Sequence, residues 1–418
     1  MKKALRQQIL SSQPSLGIVW ASSVALMWFM FHTVPLEKHN IINVSLIFLL
    51  TLLGLRVPAL SKISPRVAQT LVFLVALFAL TSVSGFMHTG ELSSTRASVL
   101  IFAFVLLGVA VGFVDKQDAV LVGLGWGTLL VHSQGLLVQY LDPSRRLLVG
   151  PYLGVTGRES PEILSAFVGL AVGLALIAER GSRKYLAAVL LSVNSFMIWR
   201  IDLTIGLVVG AFMVLIAIVI WTAGEQANLI LRSKLMWGFV ALGILLSAFV
   251  ARKDVALRVA EFLGERASVE ARFEIWDSAI SSVSTPGFVF GHGASFWREG
   301  SETLELTHEA LQRYGLSAFG HAHSMYLDLF LSYGLVGIAL IAALIVVLYR
   351  RTTLNVSKAQ PLNTTKFAWV LIPSLAVFGI SESILILHPP GWFLGAMLLG
   401  LFLRKPSQNF EPKSQSDY

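Results

Sequence analysis

The chain has 418 residues, of which 55% are hydrophobic and only 13% are charged. Soluble domains carry about 25% charged residues, so this composition excludes an ordinary soluble enzyme and indicates an integral membrane protein. The formal net charge is +8, and the chain contains no cysteine. Disulfides, Cys–metal sites and thiol catalysis are therefore excluded as well.

Apolar runs of about 20 residues recur along the chain, and each is long enough to cross a bilayer. In chain order they cover residues 16–34, 40–55, 67–86, 97–114, 118–139, 161–178, 185–199, 203–222, 235–251, 323–349, 366–387 and 390–403. They predict an all-α integral membrane protein with about twelve transmembrane helices. Nine lie in residues 1–251 and three in 323–403, followed by a polar tail at 404–418. The first run is too long for the apolar part of a signal peptide, so we interpret it as an uncleaved helix.

Basic residues are concentrated on alternate connections between these runs, which predicts that both termini are cytoplasmic. The connections assigned to the inner side contain Arg56, Lys62, Arg66, Arg180, Arg183, Lys184, Arg232, Lys234, Arg350, Arg351, Lys358 and Lys366. The short outer connections contain fewer. The net charge is therefore mainly a topology signal, and no basic soluble patch remains to bind nucleic acid.

This orientation places one long polar segment, residues 252–322, on the outer side of the membrane. Residues 255–267 and 270–283 have the pattern of amphipathic helices, which we expect to lie on the membrane surface. Residues 284–287 (Ser-Thr-Pro-Gly) and 291–293 (Gly-His-Gly) predict two turns.

Two histidines, His321 and His323, end the polar segment where the next apolar run begins. An imidazole titrates near neutral pH and is a natural proton acceptor at a membrane edge. The alternatives are two ordinary loop residues or part of a metal site. A zinc site needs about three protein ligands with settled spacing, and no such pattern frames His292 or His308. The chain also lacks an Asp-x-Asp pair, so we predict no metal and no cofactor.

Three outer arginines, Arg200, Arg266 and Arg272, are candidates for binding a phosphate group. Arginine suits bidentate contact with phosphate and stays charged when partly desolvated. The alternatives are ion pairs: Arg266 with Glu270 at the i,i+4 spacing, and Arg200 with Asp202 or a lipid headgroup.

A second basic group, Arg145, Arg146 and Arg158, lies in the outer connection before the run at 161–178. It would suit a second anionic lipid, or it could simply contact headgroups. Glu382 is an ionisable residue near the outer end of a predicted membrane helix. Such a residue is a functional candidate by default, although it could instead pair with His388 or an arginine.

Four segments of the chain carry motifs that occur together in one superfamily. Residues 272–279 (RFEIWDSA) have the form Arg–x3–Trp–x2–Ala, and residues 286–293 (PGFVFGHG) have the form of a Pro…Gly-x-Gly turn. Residues 321–328 (HAHSMYLD), followed by 334–337 (GLVG), are similar to a His-Asn, Leu and Gly-x-x-Gly helix, and residues 195–200 are a loose counterpart of a Ser-Arg helix end. In these motifs the chain resembles the O-antigen ligase and polysaccharide polymerase superfamily of bacterial inner membranes.

Two positions depart from the superfamily pattern. Ser324 stands where Asn is usual after the histidine, and four residues separate Ser195 from Arg200, which tend to be adjacent in the superfamily. The form His-Ala-His-x-x-x-Leu-Asp is most similar to the exopolysaccharide-polymerase branch.

The resemblance implies a GT-C-like enzyme with a periplasmic loop at 252–322, acting at the outer face of the bacterial inner membrane. It would move a glycan from undecaprenyl diphosphate to a sugar hydroxyl, without a metal and with inversion. His323 would be the base, with His321 and Asp328 beside the substrate and Arg272, Arg266 and Arg200 on the diphosphate. A polymerase is favoured over an O-antigen ligase acting on lipid A-core. Membrane lipids, a flippase and a chain-length regulator are the expected partners.

A transporter is the alternative of another class. It would be expected to have inverted repeats and charged residues near the middle of the bilayer. Here the charged residues cluster toward one face and the two halves of the chain look unlike, which favours an enzyme.

Overall fold

The computed structural model describes the chain in separate stretches. These are residues 117–141, 159–179, 181–200, 204–222, 252–262, 266–281, 283–293, 322–355 and 362–379, with scattered helical residues at 75–84, 105–111, 234–241 and 395–398. Within these stretches every regular element is a helix, which confirms the all-α prediction for this part of the chain. The predicted runs at 16–34 and 40–55 lie outside the described residues.

Nine helices are defined in the described stretches. They are α1 (Gln117–Leu141), α2 (Glu159–Leu176), α3 (Ser182–Arg200), α4 (Thr204–Thr222), α5 (Lys253–Phe262), α6 (Arg266–Ser281), α7 (Thr285–Phe290), α8 (Met325–Asn355) and α9 (Leu362–Phe378). Helices α1 to α4, α8 and α9 correspond to predicted apolar runs. Helices α5 and α6 correspond to the predicted amphipathic pair. Helix α9 ends at Phe378 and Gly379 follows it, while residues 380–387 of the predicted run lie outside the described residues.

The turn predicted at residues 284–287 is wrong, because this sequence begins the short helix α7. The Ser284 hydroxyl accepts a hydrogen bond from the Gly287 backbone N–H at 3.2 Å, which caps the helix start. Pro286 lies in the first turn, where its fixed φ fits and its missing N–H is not needed. Serine, proline and glycine favour both turns and helix starts, so the sequence pattern alone was ambiguous.

Two of the described helices carry stretches long and apolar enough to cross a membrane: Ile205–Thr222 in α4 and Met325–Ala343 in α8. Only 39% of each stretch is buried inside the protein. On α4, large apolar side chains such as Leu207, Val208 and Leu215 are exposed. A soluble protein rarely exposes so much contiguous apolar surface, whereas a bilayer would cover it. The predicted total of about twelve spans remains a prediction.

Helix α2 is the centre of the bundle and packs against α1, α3, α4 and α9. The rings of Phe167 on α2 and Phe378 on α9 meet edge to face, with centroids 5.0 Å apart. Gly169 lets α3 approach closely, because a Cβ at this position would overlap the Asn194 side chain. Small residues at helix contacts are typical of membrane bundles, where close packing drives association.

One end of this bundle is held by a polar clamp formed by Asp118, Glu179, Arg183 and Asn363. Arg183 Nη1 lies 2.9 Å from Asp118 Oδ2 and 3.9 Å from Glu179 Oε2. Asn363 Nδ2 donates a hydrogen bond to Glu179 Oε1 at 2.7 Å. The polar clamp joins the starts of α1, α3 and α9 to the end of α2.

At the other end of α9, its last carbonyls bind the start of α8. The backbone N–H of Met325 donates to the Gly379 carbonyl at 2.8 Å, and the Tyr326 hydroxyl donates to the Ala376 carbonyl at 2.7 Å. At a rise of 1.5 Å per residue, Gly379 lies about 24 Å along the chain from Asn363. The start of α8 and the polar clamp are therefore separated by most of the thickness of a bilayer core, which is about 30 Å.

Helix α8 is interrupted at Gly334, where the segment after α7 docks. Gly334 has φ 61° and ψ −169°, a conformation open almost only to glycine. Beside this break, the Leu331 carbonyl accepts from the His292 N–H at 2.8 Å, and the Ser332 carbonyl accepts from the Gly293 N–H at 3.0 Å. A Cβ on Gly334 would overlap the backbone of Gly291. Two glycines from distant parts of the sequence thus let two backbones touch.

Replacing Gly334 with alanine is expected to destabilise the protein. The new Cβ would meet fixed backbone atoms, and the backbone conformation itself costs about 1–3 kcal/mol for a residue other than glycine. The measurement is the midpoint of thermal unfolding in detergent. Gly210→Ala is the matched control, because a Cβ there would meet only the Ile198 side chain at 3.5 Å, an ordinary contact. Equal midpoints for the two variants would contradict the close docking at Gly334.

Candidate functional site

The candidate site is built on the start of α8, where Ser324 caps the helix. The Ser324 hydroxyl accepts from the Leu327 N–H at 3.5 Å, and its carbonyl accepts the helical hydrogen bond of Asp328 at 3.0 Å. Serine and asparagine are both strong N-cap residues because each offers a short oxygen acceptor. Serine at position 324 therefore caps the helix as an asparagine could.

Asp328 folds the preceding residues back over the first turn of α8. Its side chain is fully buried, and its Oδ1 accepts a hydrogen bond from the Ala322 N–H at 3.0 Å. A carboxylate near a helix N-terminus also interacts favourably with the helix dipole. The structure thus gives Asp328, predicted beside the substrate, a structural contact that shapes the segment between the two histidines.

Trp276 of α6 binds the other backbone group of Ala322. The Trp276 indole Nε1 donates a hydrogen bond to the Ala322 carbonyl at 2.6 Å. Around this contact, Ile275 and Ala279 of α6 pack with Ala322 and Leu331 in a small buried cluster. Both backbone groups of Ala322 are therefore hydrogen bonded, one to α8 itself and one to α6.

His323 lies between these two fixed points in an unusual conformation. Its φ is 51°, and it is the only residue other than glycine with a positive φ in the described stretches. A left-handed conformation is unfavourable for most side chains and persists when the surroundings determine it. The hydrogen bonds of Ala322 on one side and the cap at Ser324 on the other supply those surroundings. Strained residues of this kind occur most often at functional sites.

Three of the four segments that resemble the superfamily contact one another in the structure. Trp276 joins the first segment to Ala322, and His292 and Gly293 join the second to α8 beside Gly334. Both of these segments contact the third one, which contains His323 and continues into α8. Segments that are far apart in sequence thus contact the same segment, one at Ala322 beside His323 and the other further along α8.

Among the predicted arginines, Arg272 is the one that the helix geometry places near this assembly. Arg272 and Trp276 are four residues apart on α6 and so share a face of that helix. Arg272 is partly buried there. The guanidinium is thus attached to the same rigid element that holds Ala322.

The other arginines are placed differently. Arg266 begins α6, about 15 Å along the helix from Trp276. It is exposed, and its Nη1 pairs with Glu261 Oε2 at 3.2 Å, so its partner is not Glu270, the one considered from the i,i+4 spacing. Arg200 is the last residue of α3 and is exposed.

The remaining predicted site residues lie outside the described residues, so their roles stay predictions. They are His321, Arg145, Arg146, Arg158 and Glu382. In the described stretches, no three His, Cys, Asp or Glu side chains come together as a metal site would require. The absence of a metal also remains a prediction.

One buried polar pair was missed from the sequence. His132 on α1 is almost fully buried, and its Nε2 lies 3.1 Å from Asn194 Oδ1 on α3. The Asn194 amide Nδ2 donates to the Leu190 carbonyl at 2.7 Å. Because that amide nitrogen is used within α3, the oxygen faces His132, and the histidine Nε2 must carry the proton. Polar contacts of this kind join helices inside membranes. A single histidine in the apolar run at 118–139 gave no signal of a partner.

Comparison with known proteins identifies the central part of the chain. Residues 163–342 match the family model described as O-antigen ligase. The match begins in α2, contains the whole polar segment at 252–322 and ends in α8. It therefore includes Trp276, Ala322, His323 and Asp328. No curated protein and no solved structure matches the chain.

Removing the Asp328 carboxylate is expected to destabilise the start of α8. In Asp328→Ala, the Ala322 N–H loses its buried acceptor, which typically costs about 1–3 kcal/mol. Asp328→Asn keeps an oxygen at this position and should unfold at a higher temperature than Asp328→Ala. The exposed Asp277 on α6 provides the control, since Asp277→Ala should leave the thermal midpoint unchanged. If Asp328→Ala melted like Asp277→Ala, the contact with Ala322 would contribute nothing.

Proposed function

We propose that the protein is a glycosyltransferase of the bacterial inner membrane, because residues 163–342 match the O-antigen ligase family model. It moves a glycan from undecaprenyl diphosphate to a sugar hydroxyl. The observation that carries this proposal is the arrangement at Ala322. Trp276 and Asp328 hold that residue by both backbone groups, and His323 follows it directly.

His323 acts as the general base in this proposal. A sugar hydroxyl is a weak nucleophile, and loss of its proton during attack makes it stronger. The hydroxyl oxygen forms a bond to the anomeric carbon while the bond from that carbon to the diphosphate oxygen breaks. The imidazole takes the hydroxyl proton, and undecaprenyl diphosphate leaves with the bonding electrons. A displacement in one step inverts the anomeric centre.

Arg272 stabilises the leaving diphosphate, which gathers negative charge as the bond breaks. Its place on the Trp276 face of α6 supports this role. Arg266 and Arg200 were predicted for the same role, but Arg266 is exposed and engaged with Glu261. Losing one such contact typically costs about 3 kcal/mol, or about a hundredfold in rate. With arginine in this role no divalent cation is needed, and we expect turnover to persist in EDTA.

The proposed orientation places this site on the periplasmic side and both termini in the cytoplasm. The basic residues of the inner connections support it, as does the separation of the site from the polar clamp by about 24 Å of α9. Arg183 in the polar clamp lies at the start of α3, the end that the charge distribution assigns to the cytoplasm. A flippase that delivers the lipid-linked repeat and a chain-length regulator are the partners that such a reaction needs.

A polymerase is favoured over a ligase, as the His-Ala-His-x-x-x-Leu-Asp form suggests. A polymerase binds two lipid diphosphates in the same outer cleft, whereas a ligase binds one together with lipid A-core. Arg158, with Arg145 and Arg146, would bind the second of these lipids.

Deletion of the gene separates the two reactions. A polymerase mutant should still carry single repeats at the cell surface but no long polymer, as seen on lipopolysaccharide and secreted-polymer gels. Full-length polymer retained on the lipid carrier would instead identify a ligase. Normal polymer and normal lipopolysaccharide in the deletion strain would contradict both reactions.

Replacing His323 with asparagine should abolish polymer formation when the variant is returned to the deletion strain. Asparagine tolerates a positive φ, so the backbone is kept while the base is lost. General base catalysis contributes about 10²–10⁴ in rate, and the rate of polymer formation should fall by at least the lower factor.

His308→Asn is the control, because this histidine lies in the same polar segment and has no assigned role. The abundance of each variant in the membrane is measured beside the polymer. Normal polymer from His323→Asn would exclude the imidazole as the base.

A further inference from the structure

The short helix α7 and the residues after it lie against α8 inside its apolar stretch. The backbone contacts of His292 and Gly293 are made to Leu331 and Ser332, and Gly334 touches Gly291. The apolar stretch of α8 begins at Met325. At 1.5 Å per residue, Leu331 to Gly334 lie about 9–13 Å below that start. Residues 284–293 therefore reach down the side of a helix that is apolar enough to cross a membrane.

Much of the backbone of residues 284–293 is hydrogen bonded within the protein, as a bilayer favours. Unpaired N–H and C=O groups are costly in hydrocarbon, so irregular backbone occurs there only when the protein satisfies it. The N–H groups of residues 287, 288, 291, 292 and 293 all donate to protein acceptors. The Gly291 carbonyl accepts from the hydroxyl of Ser84. Ser84 lies near the outer end of the predicted membrane run at 67–86, the same side of the bilayer.

The surface of the segment is apolar where it is exposed. Phe288 and Phe290 are 48% and 50% exposed, although phenylalanine is usually buried in a soluble protein. The Phe288 ring also packs edge to face on Phe330 of α8, with centroids 5.4 Å apart. On α8 itself, Leu335 and Val336 are exposed just beyond the break at Gly334. The exposed rings therefore continue the outward-facing apolar surface of α8.

We propose that residues 284–293 form a re-entrant segment whose Phe288 and Phe290 side chains lie among the lipid acyl chains of the outer leaflet. The proposal rests on the membrane placement in the proposed function. Residues 284–293 thereby hold the rest of the polar segment, residues 252–322, at a fixed depth in the membrane. Through α8 they also fix the depth of His323 relative to the headgroup level, where the diphosphate of a lipid-linked substrate lies.

The test places single nitroxide labels in proteoliposomes, which is straightforward because the chain has no native cysteine. The labelled variants are Phe288→Cys and Phe290→Cys, each alone. Leu335→Cys on α8 is the lipid-facing reference, and Asp277→Cys on α6 is the aqueous reference. The measurement is the collision rate of each label with oxygen, which concentrates in lipid, and with the water-soluble complex Ni(II)EDDA.

Labels at 288 and 290 should match the label at 335, with nickel collisions several-fold below those at 277 and with high oxygen collisions. Nickel collisions at both positions equal to those at 277 would overturn the re-entrant segment. A nickel collision rate at 335 equal to that at 277 would also overturn the premise that α8 faces lipid. The label reports position whether or not a variant makes polymer, so failure of this placement and failure of the proposed glycosyl transfer are separate results.

Discussion

The arrangement of the candidate site depends on how the backbone of Ala322 is held. Asp328 of α8 accepts a hydrogen bond from the Ala322 N–H, and Trp276 of α6 donates one to the Ala322 carbonyl. Ala322 is therefore fixed by both helices. The next residue, His323, is thereby held in a left-handed conformation that it would not adopt freely. In the proposed reaction His323 is the general base, and a base whose backbone is already fixed loses little freedom when the substrate binds.

The long apolar helices could be predicted from the sequence because their signal is local. A run of apolar residues specifies a helix by its own length, and α1, α3 and α4 begin and end within a few residues of the predicted runs. Helix α7 was missed because Ser284, Pro286 and Gly287 favour a turn as much as a helix start. The contact between Gly379 and Met325 could not be predicted either, because it depends on tertiary structure.

The candidate site could be predicted only in part. The resemblance predicts His323, Arg272 and Asp328 as site residues, but it does not predict the hydrogen bonds from Asp328 and Trp276 to Ala322. The bond from Trp276 to Ala322 joins residues 46 positions apart, and no spacing rule predicts it. The same holds for His132 and Asn194, which are 62 positions apart. The pairing of Arg266 with Glu261 instead of Glu270 shows that a local rule can be overruled by the way a neighbouring helix packs.

The two ends of the bundle are held by different forces, and they should respond differently to the medium. Arg183 and Asp118 in the polar clamp are 24% and 34% exposed, so dissolved ions screen their attraction. The start of α8 is held by hydrogen bonds between side chains and backbone groups and by the backbone bond from Met325 to Gly379, and dissolved ions affect these bonds little. High ionic strength should therefore loosen the bundle at the polar clamp while leaving the residues around His323 intact. A buffer chosen for purification could alter the stability of the protein without altering the geometry of its site.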